Sequence, residues 1–127
     1  MARPCRILVT MQGYARKGAG MLIDFSKLDE ATIEGMDGGE GAIVARMVVN
    51  EVGRYVECRV LPGSSIGEHV QKSGNDVNFV VSGHGHATCD GVREELAPGV
   101  CHVCPKGSRH AIFNDGDEDL VLWTVVM

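Results

Sequence analysis

Short apolar segments rich in β-branched residues recur along the chain from residue 43 onward, and turn-forming residues separate them. The segments lie at residues 43–49, 55–61, 77–81, 86–89, 100–104, 111–113 and 120–126, and the turns at 62–63, 73–76, 90–91, 97–99, 105–107 and 114–117. Segments of this length and composition are typical of strands. Several short strands must stack or close so that each buries one face and hides its edges. The pattern predicts an all-β chain, built as a sandwich, jelly roll or barrel with almost no helix.

The dipeptide Asp90-Gly91 is the strongest hairpin signal in the chain. It stands between the apolar segment 86–89 and a second segment at 92–96. A two-residue type I′ turn needs positive φ at both central residues, and Asp followed by Gly meets that need. The sequence therefore predicts a tight hairpin at this point.

Composition limits the domain count and the class of partner. A chain of 127 residues is the usual size of one domain. Its net charge of −5 offers no positive field for nucleic acid. The apolar runs are shorter than the roughly 20 residues that cross a bilayer, and the run at 7–11 is short for a secretion signal. With five cysteines, an odd number, we expect reduced thiols and a cytoplasmic protein with no nucleic-acid or membrane partner.

Residues 1–20 differ in character from the rest of the chain. They carry Arg3, Arg6, Arg16 and Lys17 and no acidic residue. We expect residues 1–20 to be a poorly ordered N-terminal extension and residues 21–127 to form a single domain. A strand at 5–10 is the alternative for the first part. The acidic, glycine-rich stretch 24–41 predicts a short helical turn followed by a loop.

The stretch 63–114 resembles the two signature motifs of the cupin family. The first motif, at 63–83, has Gly63, His69, Gln71, Asp76 and Gly83 where the family has Gly, His, His, Glu and Gly. The second motif, at 99–114, matches the family at all five positions, which are Gly99, Pro105, Gly107, His110 and Asn114. The chain is thus similar to a small single-domain cupin over residues 35–127. The resemblance implies a double-stranded β-helix, or jelly-roll barrel, with an internal pocket.

The resemblance also implies a metal site in that pocket, formed by His69, Gln71, Asp76 and His110. Residues 69 and 71 can point to the same face of a strand. Mixed nitrogen and oxygen ligation suits Mn, Fe, Ni, Cu or Zn. Gln71 stands where the family has a second histidine, so His69, Asp76 and His110 remain as the strong ligands. For Gln71 a hydrogen bond to a bound small molecule is favoured over a role as fourth ligand.

Two functions follow from this site. The first is a metal-dependent enzyme acting on a small polar organic molecule, with oxygenase, isomerase and lyase chemistry not resolved. The alternative is a metal-free module that binds or senses a small ligand. Members of the family often hold a carboxylate with one cationic residue. Arg46 and Arg59 are the candidates, although solvent-facing strand positions are favoured for both. A homodimer is expected because short strands leave edges that need cover.

Two further pairs of residues have the spacing of metal sites. His84 and His86 share one strand face, but if Ala87 faces the core they point the other way, toward solvent or a partner subunit. Cys101 and Cys104 have the C-x-x-C spacing. In a strand, however, residues three apart lie on opposite faces. We therefore interpret both cysteines as packing residues.

Overall fold

The structure is a computed structural model that describes the backbone of residues 14–17 and 20–127 and the side chains of residues 20–127. Most of the expected N-terminal extension, and the alternative strand at 5–10, lie outside the described residues. The strands are β1 Tyr14–Lys17, β2 Gly20–Ile23, β3 Ala31–Glu34, β4 Ala42–Val49, β5 Arg54–Val60, β6 Ser65–Val70, β7 Asp76–Ser82, β8 Gly85–Cys89, β9 Val92–Leu96, β10 Cys101–Cys104, β11 Arg109–Asn114 and β12 Leu120–Val126. Two 3-10 turns, Phe25–Lys27 and Met36–Gly38, are the helical elements of the described part.

Two antiparallel sheets enclose the core. One has six strands in the order β10-β7-β12-β5-β4-β3, and the other has four in the order β6-β11-β8-β9, while β1 and β2 form a separate hairpin. Both sheets contribute buried apolar side chains, among them Ile43, Val60, Ala87, Ile112 and Leu122. The predicted all-β fold is confirmed. No helix among the residues that the structure describes has the length and apolar character needed to cross a membrane.

The hairpin between β8 and β9 has the predicted turn. Cys89 pairs with Val92, and Asp90 and Gly91 both have positive φ, 48° and 81°. The Asp90 carboxylate also accepts a 2.9 Å hydrogen bond from the backbone N–H of Arg109. That bond, and a second from Ser108, lower the pKa of Asp90. The turn therefore ties itself to the start of β11, one residue before His110.

The structure corrects the expectation of a loop before β4. Residues 31–34 form β3, which pairs antiparallel with β4 and places Ile33 opposite Ile43. Ile33 packs against the core. With a single large apolar side chain in four residues, β3 carries too little apolar pattern to be recognised, and its partner strand supplies the hydrogen bonds that keep it extended.

The motif glycines occupy backbone positions that other residues rarely adopt. Gly63, Gly83, Gly99 and Gly107 have φ values of 70°, 86°, 93° and 94°. Glycine reaches this left-handed region at little steric cost, because it has no Cβ. The four turns hold β6, β7, β10 and β11 in the order that brings both motifs to one cavity.

Candidate functional site

His69 and His110 face each other across two neighbouring strands. They are direct partners in the pairing of β6 with β11, so their side chains leave the sheet on the same side. Their Nε2 atoms lie 3.1 Å apart. The register between these strands shifts just after His110, and such irregularities often aim a side chain into a site. His110 is almost completely buried, at 1% exposure.

Asp76 reaches His110 from the facing sheet. It opens β7, and its Oδ2 lies 3.3 Å from Nε2 of His110. Its other oxygen, Oδ1, accepts a 3.2 Å hydrogen bond from the Asn78 amide. Asn78 in turn accepts a 2.7 Å bond from the Thr124 hydroxyl. Asn78 and Thr124 thus hold the carboxylate so that one oxygen stays directed at His110.

His69 has its other ring nitrogen occupied. Its Nδ1 lies 2.8 Å from the carbonyl oxygen of Gly67 and 3.2 Å from the Asp37 carboxylate. Both neighbours are acceptors, so Nδ1 carries the proton and Nε2 of the neutral ring carries a lone pair. Asp37 comes this close because residue 67 is glycine, since a Cβ there would collide with the Asp37 carbonyl oxygen.

His110 is held by a hydrogen-bonded relay that runs from the exposed Glu94 on β9 through the buried His102 on β10. Its Nδ1 lies 3.0 Å from Nε2 of His102. Nδ1 of His102 lies 2.6 Å from the Glu94 carboxylate, and His102 is only 2% exposed. A carboxylate accepts and does not donate, so the neutral His102 ring donates from Nδ1 and accepts at Nε2. With His102 neutral, His110 donates from Nδ1, and Nε2 of a neutral His110 ring carries a lone pair.

Nε2 of His110 therefore lies close both to Nε2 of His69 and to a carboxylate oxygen of Asp76. With neutral rings, Nε2 of His69 and Nε2 of His110 are both acceptors at 3.1 Å, and Asp76 adds negative charge 3.3 Å from the latter. Such an arrangement is repulsive unless a cation, a proton or a metal ion, lies between the groups. This part of the cavity wall therefore presents lone pairs and negative charge to the cavity.

Gln71 lines the same cavity, and the hydrogen bond of its side chain goes to Ser73 rather than to His69, Asp76 or His110. It follows the last residue of β6, is 6% exposed and lines the cavity. Its amide nitrogen lies 3.5 Å from the Ser73 hydroxyl. The structure thus brings three of the four sequence-predicted residues into contact, and leaves the Gln71 amide beside them in the wall.

The cavity between the sheets has a volume of about 1000 Å³. His69, Gln71, Asp76 and His110 lie in its wall, together with the thiol of Cys58. Burial, and to a smaller extent the charge of Asp76, raise the pKa of Cys58 to about 12. This thiol therefore stays protonated at neutral pH in the absence of a metal and is not a ready thiolate nucleophile.

His84, His86 and the two arginine candidates, Arg46 and Arg59, do not line the cavity. His86 bonds the Asp115 carboxylate at 2.6 Å and stacks on Phe113. Arg46 and Arg59 both pair with Glu30, at 3.2 Å and 2.8 Å. These two arginines are the outward-facing strand residues that the sequence analysis favoured.

The two cysteines of the C-x-x-C spacing do lie on opposite faces of β10. Cys104 is buried and Cys101 is exposed. The interpretation of both as packing residues is wrong for Cys101, because alternation in a strand puts only one of the two toward the core. The residue missed between them is His102, which shares the inward face with Cys104.

Comparison with known proteins identifies the family. A family model described as the cupin domain matches residues 56–127, more than half of the chain. This chain is a cupin. The motif resemblance is thereby confirmed, as is the jelly-roll architecture that it implied.

Relatives of this cupin share its fold at low identity. An oxalate-binding protein from Thermotoga maritima is 24% identical over 118 residues, covering 88% of this chain and 98% of its own. The crystal structure of a predicted oxalate decarboxylase from the same organism has a TM-score of 0.76 at 23% identity, covering 82% and 96% of the two chains. An RmlC-like cupin from Shewanella frigidimarina has a TM-score of 0.69 at 17% identity, covering 90% and 92%. Identities this low establish the fold alone.

Five residues that support the cluster escaped the sequence analysis. They are Asp37, Asn78, Glu94, His102 and Thr124. Strand alternation could have placed Asn78 on the same face as Asp76, because the two are i and i+2. Nothing local marks Glu94 or His102, whose partners come from other strands.

Proposed function

We propose that this cupin binds a divalent transition metal through His69, Asp76 and His110, and that the metal serves chemistry on a small organic molecule bound in the same cavity. The observation that carries the proposal is the 3.1 Å approach of two imidazole Nε2 atoms whose Nδ1 protons are already engaged. Neutral imidazoles held in this tautomer by carboxylates and carbonyls are how proteins present histidine to a metal.

The donor chemistry suits such an ion. With bonds of about 2.0–2.2 Å, two donors on one metal lie about 3.0 Å apart at right angles and about 3.4 Å apart in a tetrahedron. The separations of 3.1 Å and 3.3 Å fall within this range. Within residues 20–127, however, no group of three His, Cys, Asp or Glu side chains is yet arranged to hold a metal ion. The proposal therefore includes a small movement of at least one of the three side chains on binding.

Two histidines and one carboxylate favour Mn, Fe, Ni, Cu or Zn. When bound, such an ion supplies a Lewis acid and lowers the pKa of a bound water. The chain itself orients its ligands through Asn78, His102 and the backbone of Gly67, and it offers the Gln71 amide to a bound molecule. The relatives described as oxalate-binding or as a predicted oxalate decarboxylase support an organic anion as ligand. The proposed chemistry is of the oxygenase, isomerase or lyase class.

A metal-free ligand-binding module is the second candidate. The separation of 3.1 Å between the two Nε2 atoms also suits a hydrogen bond through one shared proton. In that form the histidine pair carries one positive charge, which balances the Asp76 carboxylate in the cavity wall without a metal ion.

Metal analysis separates the two candidates. The protein is expressed without added metal, purified without chelator, and analysed by mass spectrometry for Mn, Fe, Co, Ni, Cu and Zn. The metal-site proposal expects one transition-metal ion per chain, removable by a chelator. Chain free of metal that also fails to take up any of these ions on titration would refute the metal-site proposal and leave the metal-free module.

Replacing Gln71 by histidine is expected to strengthen metal binding. An amide oxygen is a weak neutral ligand, whereas an imidazole at this position in the cavity wall adds a third nitrogen donor. Competition with a coloured chelator should show that the variant binds the metal at least about tenfold more tightly than the unaltered protein. Changes of this size are typical when a group that supports a metal site is altered. Gln71→Glu serves as the control for charge, and an affinity unchanged by Gln71→His would show that residue 71 lies outside the ligand sphere.

The homodimer stays a prediction, as does the cytoplasmic location. β10 is an edge strand of the six-stranded sheet. Phe79 on the neighbouring β7 and Trp123 on β12, the next strand, remain 51% and 41% exposed. A second copy of this chain would cover both the edge and these rings. Light scattering at micromolar concentration should give twice the chain mass, and the monomer mass alone would contradict the dimer.

A further inference from the structure

The Arg54 side chain is a cation in the cavity wall that has no partner among the described residues. Arg54 opens β5 and lines the cavity. Its Nε atom is buried and makes no hydrogen bond within the described part of the chain. The arginines that form ion pairs within residues 20–127 are Arg46, Arg59, Arg93 and Arg109. A guanidinium presents a rigid fork of donors that matches a carboxylate, so Arg54 is placed to receive an anion.

Strand register places Arg54 in the outermost row of the cavity wall. Across the six-stranded sheet, Val126 of β12 pairs with Arg54 on one side and with Asp76 on the other. Arg54 therefore lies two strand spacings, about 10 Å of backbone, from Asp76. Arg54 and Asp76 thus share the outermost row of this wall.

Deeper rows of the same wall are apolar. Met47 pairs with Val56 in the second row, and Ala45 pairs with Cys58 in the third. The polar exceptions, Asn78 and Thr124, bond each other at 2.7 Å and are not free for a ligand. The Cys58 thiol remains neutral because burial raises its pKa to about 12. The inner part of the cavity therefore offers apolar contact and few hydrogen bonds.

The size of the cavity exceeds what a two-carbon diacid fills. A volume of about 1000 Å³ is at the upper end of the ~300–1000 Å³ of sites for drug-sized ligands. Ile66 and Ile112, from the four-stranded sheet, complete the apolar lining. A small doubly charged molecule would leave the apolar rows in contact with water, which costs free energy. A ligand with a hydrocarbon group would cover these rows and avoid that cost.

We propose that the ligand of this cavity is an amphipathic monocarboxylate, with its carboxylate on Arg54 and an apolar body of several carbons between the two sheets. The inference rests on the proposed function in taking this cavity as the site of an organic anion. It adds the chemical class of that anion, and it excludes oxalate as the preferred ligand.

Calorimetry with a homologous series tests the inference. Acetate, butanoate, hexanoate, octanoate, decanoate and oxalate are titrated into the protein, both as purified and after chelator treatment. Affinity should rise about threefold to fourfold per methylene from butanoate to octanoate, and octanoate should bind more tightly than oxalate. Affinity that is independent of chain length, tighter binding of oxalate, or no binding of any carboxylate at millimolar concentration overturns the inference.

Two variants locate the binding mode. Arg54→Gln should weaken octanoate about 10-fold to 100-fold and leave 1-octanol within about twofold, because an alcohol has no charge to lose. The matched control Arg59→Gln, on the outer face, should leave both unchanged. Ala45→Leu, which fills the inner part, should weaken decanoate more than butanoate. Octanoate bound equally well by Arg54→Gln, or a chain-length dependence unaltered by Ala45→Leu, counts against the inference.

The outcome for the metal site is read separately. If the purified protein holds no metal and takes none up, yet octanoate binding depends on Arg54, the proposed metal site fails and the ligand class stands. If the metal loads and oxalate is preferred over octanoate, the ligand class fails and the metal site stands.

Discussion

Replacing His110 by alanine is expected to abolish metal binding, with the affinity falling by at least about 100-fold. The reason is geometric, because Nε2 of His110 is the donor closest to both other candidates, at 3.1 Å from His69 and 3.3 Å from Asp76. Replacing His69 by alanine should have a similar effect. Metal content after dialysis, with chelator competition for the residual affinity, measures the loss.

A ranking of variants makes this prediction specific. His102→Leu removes the acceptor at 3.0 Å that fixes the His110 tautomer, so it should weaken binding about 10-fold to 100-fold without removing a ligand. His86→Ala is the matched control, because His86 bonds Asp115 away from the cavity, and it should have no effect. A large loss with His86→Ala or His84→Ala, together with none for His110→Ala, would show that the wrong histidines have been chosen.

Replacing Asn114 by aspartate is expected to lower the free energy of unfolding by about 3 kcal/mol. The Asn114 amide nitrogen donates to the carbonyls of Val60 and Glu118, at 2.8 Å and 2.7 Å, and its oxygen accepts from Gly116 at 2.8 Å. Aspartate keeps the acceptor but loses both donors. The change leaves two carbonyl oxygens facing a buried carboxylate. Urea denaturation followed by circular dichroism measures the difference.

Asn75→Asp is the control for this chemical change. Asn75 is exposed, and its side-chain oxygen accepts from the backbone of Lys106 at 3.0 Å, a role that a carboxylate can also fill. We expect its effect on stability to stay within about 0.5 kcal/mol. Equal stability losses for the two variants would mean that the bonds of Asn114 do not hold β11 to β5.

The strands that the sequence predicted are those in which local chemistry and tertiary structure agree. The apolar segment at 120–126 is β12, with the same bounds. This strand lies between β5 and β7 and pairs with both, so its local apolar pattern and its place in the sheet agree. The hairpin at Asp90 and Gly91 was equally predictable, since positive φ is a local requirement. β3 was missed because four residues with one large apolar side chain carry little pattern of their own.

For the cluster, the predictable part was the set of residues that motif spacing places on neighbouring strands. His69 and His110 are paired directly in the structure, a contact across 41 positions of sequence. Motif spacing could not show which groups hydrogen-bond the Nδ1 atoms of His69 and His110. They include Asp37 and His102, which come from segments whose approach is decided by the packing of the sheets.

Arg54 shows most clearly what tertiary structure adds. Sequence pattern offered Arg46 and Arg59, each inside an apolar strand, and alternation along the strand placed both outward, where they pair with Glu30. Arg54, at the first position of β5, was not recognised because the alternation of apolar residues begins only after it. The residues before Arg54 give no sign of the direction of its side chain. Local sequence determined the strands, the turns and the motif residues, since these depend on neighbours a few positions away. Only the pairing of β5 with β12 and β4 decided that Arg54 enters the cavity, because register assigns every side chain of a strand to one face or the other.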